Sequence, residues 1–420
     1  HPFMKKNLLT YSIIGAMVLG MIVGFSIFKS EDPELISAYS GNIKLLATIF
    51  IRLVQMIIAP LVFCTLVVGI AKLGNVRTVS RIGGKAMIWF FSASLVSLLI
   101  GLVMVNFYEP GMGMNLSSED AAGVADVTAK TKQFSLLNFV EHIVPKSVFE
   151  AMATNEILQL VVFSIFFGIA LAGLGPTALP LINALEIVAH VVLKMVGYVM
   201  MTAPLGVFGA ISAVIATRGL DILLTYAKYF GAFIAGILVL WMVLLLVGYL
   251  VIGKRLPDLI RGLFGSMVIA FSTTSSEAVF PKLTEDLKKF GCNDRIVSFT
   301  LPLGYSFNLD GSMMYMTFAS IFIAQVYGIE LDLGTQLTML LVLMLSSKGV
   351  AGVPRASLVV VAATCGMFGI PVEGIALILP IDHFCDMFRS ATNVLGNGLA
   401  TAAVSKWEGE LQTVEEKVLI

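Results

Sequence analysis

Along the chain, apolar runs long enough to cross a bilayer alternate with short polar breaks. Leu8 to Phe28 is the first run, Ile43 to Leu73 the second and Ile82 to Tyr108 the third. About 20 consecutive apolar residues span the hydrocarbon core as a helix, so each run predicts one crossing. The second carries Arg52 and Pro60 within it. A polar stretch from Glu109 to Glu156 follows, in which Glu119, Asp120, Asp126, Glu141 and Glu150 outnumber Lys130, Lys132 and Lys146. It predicts a partly structured loop outside the membrane. Ile157 to Leu174 is a fourth crossing. Leu179 to Ile215 is a fifth, interrupted at Pro204-Leu205-Gly206 and too long to cross without tilting or breaking. Ile222 to Ile252 is the sixth.

The second half of the chain differs in kind. From Leu259 the apolar pattern is broken by Ser272-Thr273-Thr274-Ser275-Ser276-Glu277, then resumes and ends in the charged stretch Lys282 to Lys289. The profile recurs as Leu337 to Leu345, the polar run Ser346 to Ser357, and Leu358 to Phe368. Non-helical backbone at membrane depth must be buried in protein or line a cavity, so each profile predicts two half-helices meeting at a polar tip. Two such hairpins in corresponding positions suggest an internal repeat. Each precedes a span with a polar centre. Arg295 to Tyr327 holds Gly304 through Ser312, whose Asn308-Leu309-Asp310-Gly311 sequence suggests an unwound middle. Pro371 to Ala403 carries Asp382, Asp386, Arg389, Asn393 and Asn397 at steps of 4, 3, 4 and 4, one face of a helix.

Composition sharpens this picture. Of 420 residues, 58% are hydrophobic and 13% charged, against about 25% charged in soluble proteins, which leaves no room for a large soluble catalytic domain. With 27 basic and 27 acidic residues the formal charge is zero, so nothing draws the chain to nucleic acid. Lys72, Arg77, Arg81, Lys85, Lys254, Arg255 and Arg261 fall on one side of the predicted crossings, and Glu31, Asp32 and Glu34 on the other. The positive-inside rule then places both termini in the cytoplasm of a multi-pass protein of the cell inner (plasma) membrane. Cys64, Cys292, Cys365 and Cys385 form no CxxC pair and read as buried thiols, with neither a disulfide nor a zinc site expected. His1-Pro2-Phe3 ahead of Met4 reads as a cloning remnant. No HExxH motif or serine–histidine pair suggests an intramembrane enzyme.

A charged residue at the bilayer centre costs about 2.5 to 3.5 kcal/mol, so Asp382, Asp386 and Arg389 together would cost roughly 8 to 10, as much as a whole domain's stability. They must face a bundle interior. A bland explanation is a structural ion pair between Asp386 and Arg389 at i,i+3, and for the serine runs, hydroxyls bonding back to helix carbonyls. The functional explanation is that half-helix tips offer amide donors to carboxylates and unwound carbonyls suit sodium. A gated channel lined by the same polar spans is the rival of another class; it would pass current without a substrate.

At Asn308-Leu309-Asp310-Gly311-Ser312, Gly349-Val350-Ala351-Gly352-Val353-Pro354, and Asp386 through Asn397, the chain resembles the dicarboxylate/amino acid:cation symporter family over nearly its whole length. The resemblance implies an all-α membrane protein of eight transmembrane helices and two re-entrant hairpins in inverted repeats. It further implies a homotrimer in lipid that works as an elevator. Scaffold helices 1–2 would occupy 5–75 after the remnant at 1–4, and scaffold helices 4–5 residues 157–217. The moving part would comprise helix 3 (82–110), helix 6 (222–253), hairpin 1 (258–291), helix 7 (295–328), hairpin 2 (333–369) and helix 8 (371–407). An extracellular loop (111–156) and a cytoplasmic tail (408–420) complete the chain.

The resemblance also implies roles for residues. Arg389 would hold the substrate's side-chain carboxylate and Asp386 its ammonium, as a guanidinium fork and a carboxylate can. Asn393, Ser312, Ser390 and the backbone at Ser276 and Val353 would hold the second carboxylate, with Arg355 and Ser357 nearby in hairpin 2. An acidic amino acid, glutamate or aspartate, is favoured over a C4-dicarboxylate, which Asp386 would repel; a dicarboxylate or neutral amino-acid carrier is the alternative. No resident cofactor is implied. Sodium would sit near Gly304, Asn308, Asn393 and Asn397, near Ser306 with carbonyls of Ser347, Lys348 and Val350, and near Asn308, Asp310 and Ser94. Departures from sodium-coupled members are Asn397 for an aspartate and Ala93 for a threonine, which remove charge and a ligand from hard-cation sites and open the coupling to protons. Thr274 and Met387 stand where relatives carry an arginine, a cation that Arg355 would supply. Met316 stands where animal members carry a glutamate linked to proton and potassium coupling, so potassium antiport is not expected.

Overall fold

The computed structural model describes residues 2–73, 76–113, 143–154, 156–220, 226–347 and 356–412. These form helices and short connections; among them the sole β feature is an isolated bridge between Cys292 and Leu411. The long helices are α1 (Pro2–Phe28), α2 (Pro33–Leu73) and α3 (Val76–Tyr108), followed by the short α4 (Val148–Ala153). Next come α5 (Ile157–Gly173), α6 (Leu179–Met200), α7 (Ala203–Arg218) and α8 (Ala227–Ile252). Then α9 (Leu256–Thr273), α10 (Phe280–Phe290), α11 (Asp294–Phe307) and α12 (Asp310–Val326) lead to α13 (Leu333–Ser346), α14 (Ala356–Met367) and α15 (Leu379–Trp407).

Among the described residues, five segments are long and apolar enough to cross a membrane: Tyr11–Phe28, Pro33–Lys72, Val76–Tyr108, Gly175–Met200 and Ala227–Thr273. Gln159–Gly173, Ala203–Thr217 and Leu333–Met344 are shorter apolar helices. The expected seventh and eighth crossings are absent from this set for a physical reason. The helix through Asn308 is broken, and α15 carries Asp382, Asp386 and Arg389 inside it. The second crossing is longer than the apolar pattern indicates, because Pro33 starts a helix of 41 residues. Proline at a first helical position adds no unsatisfied donor, and the Asp32 carboxylate accepts from the amides of Glu34 and Leu35 at 3.0 and 3.3 Å. At 1.5 Å per residue α2 is about 60 Å long, so it tilts or projects beyond a hydrocarbon core of about 30 Å. Pro60 lies within it without ending it. The interruption expected in the fifth apolar run falls at Met201–Thr202, just ahead of Pro204.

Two sets of helices pack mainly among themselves. In one, α2 is the hub for α5, α6 and α7, and α1 lies along α7. Backbones approach closely there: a Cβ on Gly24 would stand 2.7 Å from the Ser212 carbonyl, and one on Gly209 2.6 Å from that of Ile43. Small residues permit such approaches where lipid gives no hydrophobic drive to association. In the other set, α15 packs on α8, α9, α11 and α12, while α3 packs on α8 and α12. α11 touches α2 and α5, α10 touches α2 and α6, and α9 touches α1 and α7, so these three helices join the sets.

The end of α15 is strapped down by charge. Glu408 accepts from Arg81 and Lys85 of α3 at 2.8 and 2.7 Å, and hydrogen bonding to Arg81 holds its carboxyl below the usual glutamate range. Arg295 pairs with Glu410, and Arg255 donates to the Gln412 carbonyl at 2.8 Å.

Candidate functional site

Both interrupted spans break where their polar centres fall. α11 ends at Phe307, and Asn308 (φ −130°, ψ 60°) and Leu309 (φ −100°, ψ 70°) are non-helical before α12 starts at Asp310. In the first hairpin, α9 ends at Thr273, Thr274 turns left-handed (φ 53°, ψ 33°), and a single 3₁₀ turn at Glu277–Val279 leads into α10. Ser272 and Thr273 hydroxyls bond back to Val268 and Ile269 carbonyls, as the bland explanation requires. Ser275 instead accepts from the Ala278 amide at 3.2 Å, and the Ser276 carbonyl accepts from Tyr305 of α11 at 2.7 Å. The tip is thus built by both kinds of bond. α13 and α14 are the arms of the second hairpin, with Ser347 and Ser357 buried at their inner ends. Lys348, Val350, Val353 and Arg355 lie outside the described residues.

The break in α11–α12 rests on α15. Asn393 Oδ1 accepts from the amides of Gly311 and Ser312 at 3.0 and 3.3 Å, and its Nδ2 donates to Ser312 Oγ at 3.1 Å. A side chain of one helix thus satisfies the free amides at the start of another. Gly311 makes the approach possible, since a Cβ there would stand 2.7 Å from the Arg389 carbonyl. Asn308 Nδ2 donates to Asn397 Oδ1 at 3.3 Å, and Ser94 of α3 donates to the Phe307 carbonyl at 3.3 Å. Asn308 Oδ1, Asn397 Nδ2 and Ser306 Oγ are buried without a hydrogen-bond partner. Gly304 is close enough that a Cβ would meet the Asn397 side chain, and Asp310 lies fully buried against Gly396. Asn308 Oδ1, Ser306 Oγ, Asn397 Oδ1 and the Asp310 carboxylate are oxygens of the kind a hard cation takes, whereas Asn397 Nδ2 is an N–H donor and is not one of them. Among the described residues no group of three or more His, Cys, Asp or Glu side chains is arranged to hold a metal ion.

One turn along the same face lies an ionic cluster. Arg389 is 1% exposed. Its Nη1 donates to Asp382 Oδ1 at 3.0 Å, and its Nε and Nη2 lie 3.2 and 3.0 Å from Asp386 Oδ1. Tyr315 of α12 donates to Asp382 Oδ1 at 3.0 Å, and its ring lies 4.0 Å beneath the guanidinium carbon. The i,i+3 pair therefore exists, but it does not exhaust the arginine. A guanidinium has five N–H groups; among the described residues these contacts engage one on each nitrogen, so Nη1 and Nη2 each keep one further N–H. Asp386 is the accessible member, its side chain 31% exposed against 4% for Asp382. Ser390 is buried on the same helix.

Asp382 and Tyr315 are the residues that site prediction from sequence omits. Asp382 shares the polar face of α15, and its partnership with Arg389 spans two turns. Tyr315 left a weaker signal: a tyrosine in an apolar helix needs a partner for its hydroxyl.

A membrane chain whose described residues are nearly all helical, and whose broken helices meet beside buried ions and incompletely satisfied asparagines, has the build of a secondary transporter. Its family follows from comparison: the sodium:dicarboxylate symporter family model matches residues 9–407, and the chain belongs to that family. It is 38% identical over 417 residues to the proton/sodium-glutamate symport protein of Bacillus caldotenax, covering 99% of this chain and 97% of that one. It is also 38% identical over 408 residues to the C4-dicarboxylate transport protein of Bacillus subtilis, covering 96% and 94%. To the C4-dicarboxylate transport protein of Rhodospirillum rubrum it is 41% identical over 406 residues, covering 96% and 90%.

Proposed function

We propose that this protein is a symporter that takes up glutamate or aspartate together with sodium, protons or both. The observation that carries this reading is the pairing of a buried guanidinium, two of whose five N–H groups take no partner among the described residues, with a partly exposed carboxylate one turn away. A ligand with an anionic and a cationic end fits that pair. Arg389 takes the side-chain carboxylate and Asp386 the ammonium. Asn393, Ser312, Ser390, Ser276 and Val353 hold the remaining carboxylate, with Arg355 and Ser357 beside it. Sodium binds among Gly304, Ser306, Asn308, Asp310, Asn393, Asn397 and Ser94, and with carbonyls of Ser347, Lys348 and Val350.

Helices α1, α2 and α5–α7 act as a scaffold, and α3 with α8–α15 as the part that carries the substrate. The protein works as a homotrimer in the cell inner membrane with both termini in the cytoplasm. Movement of one charge is worth about 2.3 kcal/mol per 100 mV, so two or three co-transported cations sustain steep accumulation. The experiment is uptake of labelled aspartate and glutamate into proteoliposomes under separately imposed sodium and proton gradients. Concentrative uptake under at least one gradient is expected; current without substrate would instead favour a channel.

The similarity to proteins named for C4-dicarboxylate transport supports a second reading, in which succinate or malate is the substrate. Asp386 discriminates between the two, because it attracts an ammonium and repels a ligand that has only carboxylates. Competition of labelled aspartate by succinate decides it.

A further inference from the structure

The ionic cluster contains a carboxylate for which the substrate reading has no use. Asp386 meets the ammonium and Arg389 a carboxylate, but Asp382 also claims Arg389, from a position almost wholly shielded from solvent. Asp382 and Asp386 formally outnumber the single guanidinium. An acidic amino acid would bring two carboxylates and one ammonium, so the occupied site would carry two net negative charges before any cation joins it. Charge so placed in a low-dielectric interior is strongly unfavourable.

The surroundings of Asp382 limit how that charge is relieved. On its own helix the titratable and charged neighbours are Arg389, Asp386, Cys385 and the adjoining half-buried His383, whose ring lies edge-on to Phe384; Tyr315 faces it from α12, and Tyr229 from α8. α9 contributes Phe271, stacked edge-on against Phe388. Arg389 is the one permanently charged cation among these described neighbours. The polar oxygens suited to sodium, at Asn308, Asp310 and Asn397, belong to a separate group further along α15.

We propose that Asp382 is the proton-binding residue of this transporter: it takes up a proton when the substrate's side-chain carboxylate engages Arg389. This rests on the acidic amino-acid reading above. While Arg389 serves only Asp382 and Asp386, the Asp382 carboxylate is well compensated. Once a third carboxylate draws on the same guanidinium, that compensation is divided and a proton becomes the cheapest replacement. Tyr315 completes the arrangement, because its hydroxyl donates to an ionised Asp382 and can turn to accept from a protonated one. By linkage the effect is reciprocal: substrate raises the proton affinity of Asp382, and a proton on Asp382 raises the affinity for substrate. A bond to Oδ of Asp382 forms and breaks once per cycle, and the proton comes from one bulk phase and leaves to the other.

The test is binding of labelled aspartate and of glutamate to the purified full-length protein in saturating sodium from pH 5 to 9. Proton uptake on binding is measured alongside, by calorimetry in buffers of different ionisation enthalpy. Wild type is expected to take up close to one proton and, above the midpoint, to lose affinity about tenfold per pH unit, the slope of a one-proton linkage. Asp382→Asn should bind with less than about twofold change across the range and take up no proton. Tyr315→Phe keeps the carboxyl but removes a donor to its ionised form, and should move the wild-type midpoint to higher pH. Because Tyr315→Phe and the wild-type proton count are read independently, a misfolded Asp382→Asn does not rescue the idea. Binding by wild type with no proton uptake, or an unchanged slope in a folded Asp382→Asn, overturns the proton role alone. Failure of wild type to bind either amino acid at any pH overturns the substrate reading and this inference with it.

Discussion

At the scale of single residues, the site depends on the shape of a guanidinium as much as on its charge. Arg389 meets Asp382, Asp386 and the Tyr315 ring at once through a planar fork. A lysine there keeps the charge but offers a point donor that cannot face three directions. Arg389→Lys is expected to weaken acidic amino-acid binding by about 100-fold, on the order of 3 kcal/mol, in protein that elutes as wild type on size exclusion. Asp386→Asn tests the other end of the ligand. It should lower aspartate affinity tenfold or more while changing succinate affinity much less, because only the amino acid loses an ion pair. Equal losses for both ligands would remove Asp386 from the ammonium site. Competition binding reads both outcomes.

At the scale of elements, the breaks were the most legible part of the chain and the partners the least. A run such as Ser272 to Glu277 or Asn308 to Gly311 cannot continue an apolar helix, and both interruptions fall there. The alternating steps of 3 and 4 along α15 likewise place Asp382, Asp386 and Arg389 together. What sequence spacing could not supply is contact between elements distant in the chain. Tyr315 under Arg389, Tyr305 on Ser276 and Asn393 capping α12 each depend on how two helices meet. The charged stretch from Lys282 to Lys289 marks the same limit. In sequence it is only a charged stretch that ends the hairpin profile, whereas in the structure Lys282 pairs with Asp286 at 2.5 Å, and Ser266 of α9 donates to the same carboxylate at 2.9 Å. Asp286 is only 4% exposed. Lys282→Met removes the cation paired with that buried carboxylate and should destabilise the protein by about 3 kcal/mol, whereas Lys282→Met with Asp286→Leu recovers most of the loss. Thermal unfolding in detergent separates the two variants, and equal stability of both would show that the pair does not hold the hairpin.

At the scale of the whole molecule, the decisive question is whether the two sets of helices move against each other. α11 is well placed to report on this, because it belongs to the site yet touches α2 of the other set. A Cβ built on Gly69 of α2 lies 3.8 Å from Cβ of Arg295 at the start of α11, the Cβ separation typical of a disulfide. The four native cysteines are buried, so an introduced pair has little competition for oxidant. Gly69→Cys with Arg295→Cys should therefore cross-link within one chain. If the α2 set is stationary and α11 travels with the substrate, oxidation fixes a single conformation: uptake stops, substrate binding in detergent persists, and reduction restores transport. Arg295→Cys alone controls for the lost ion pair with Glu410. A cross-linked protein that still accumulates aspartate at the wild-type rate would mean that α2 and α11 travel together, and the boundary between scaffold and moving part would have to be drawn elsewhere.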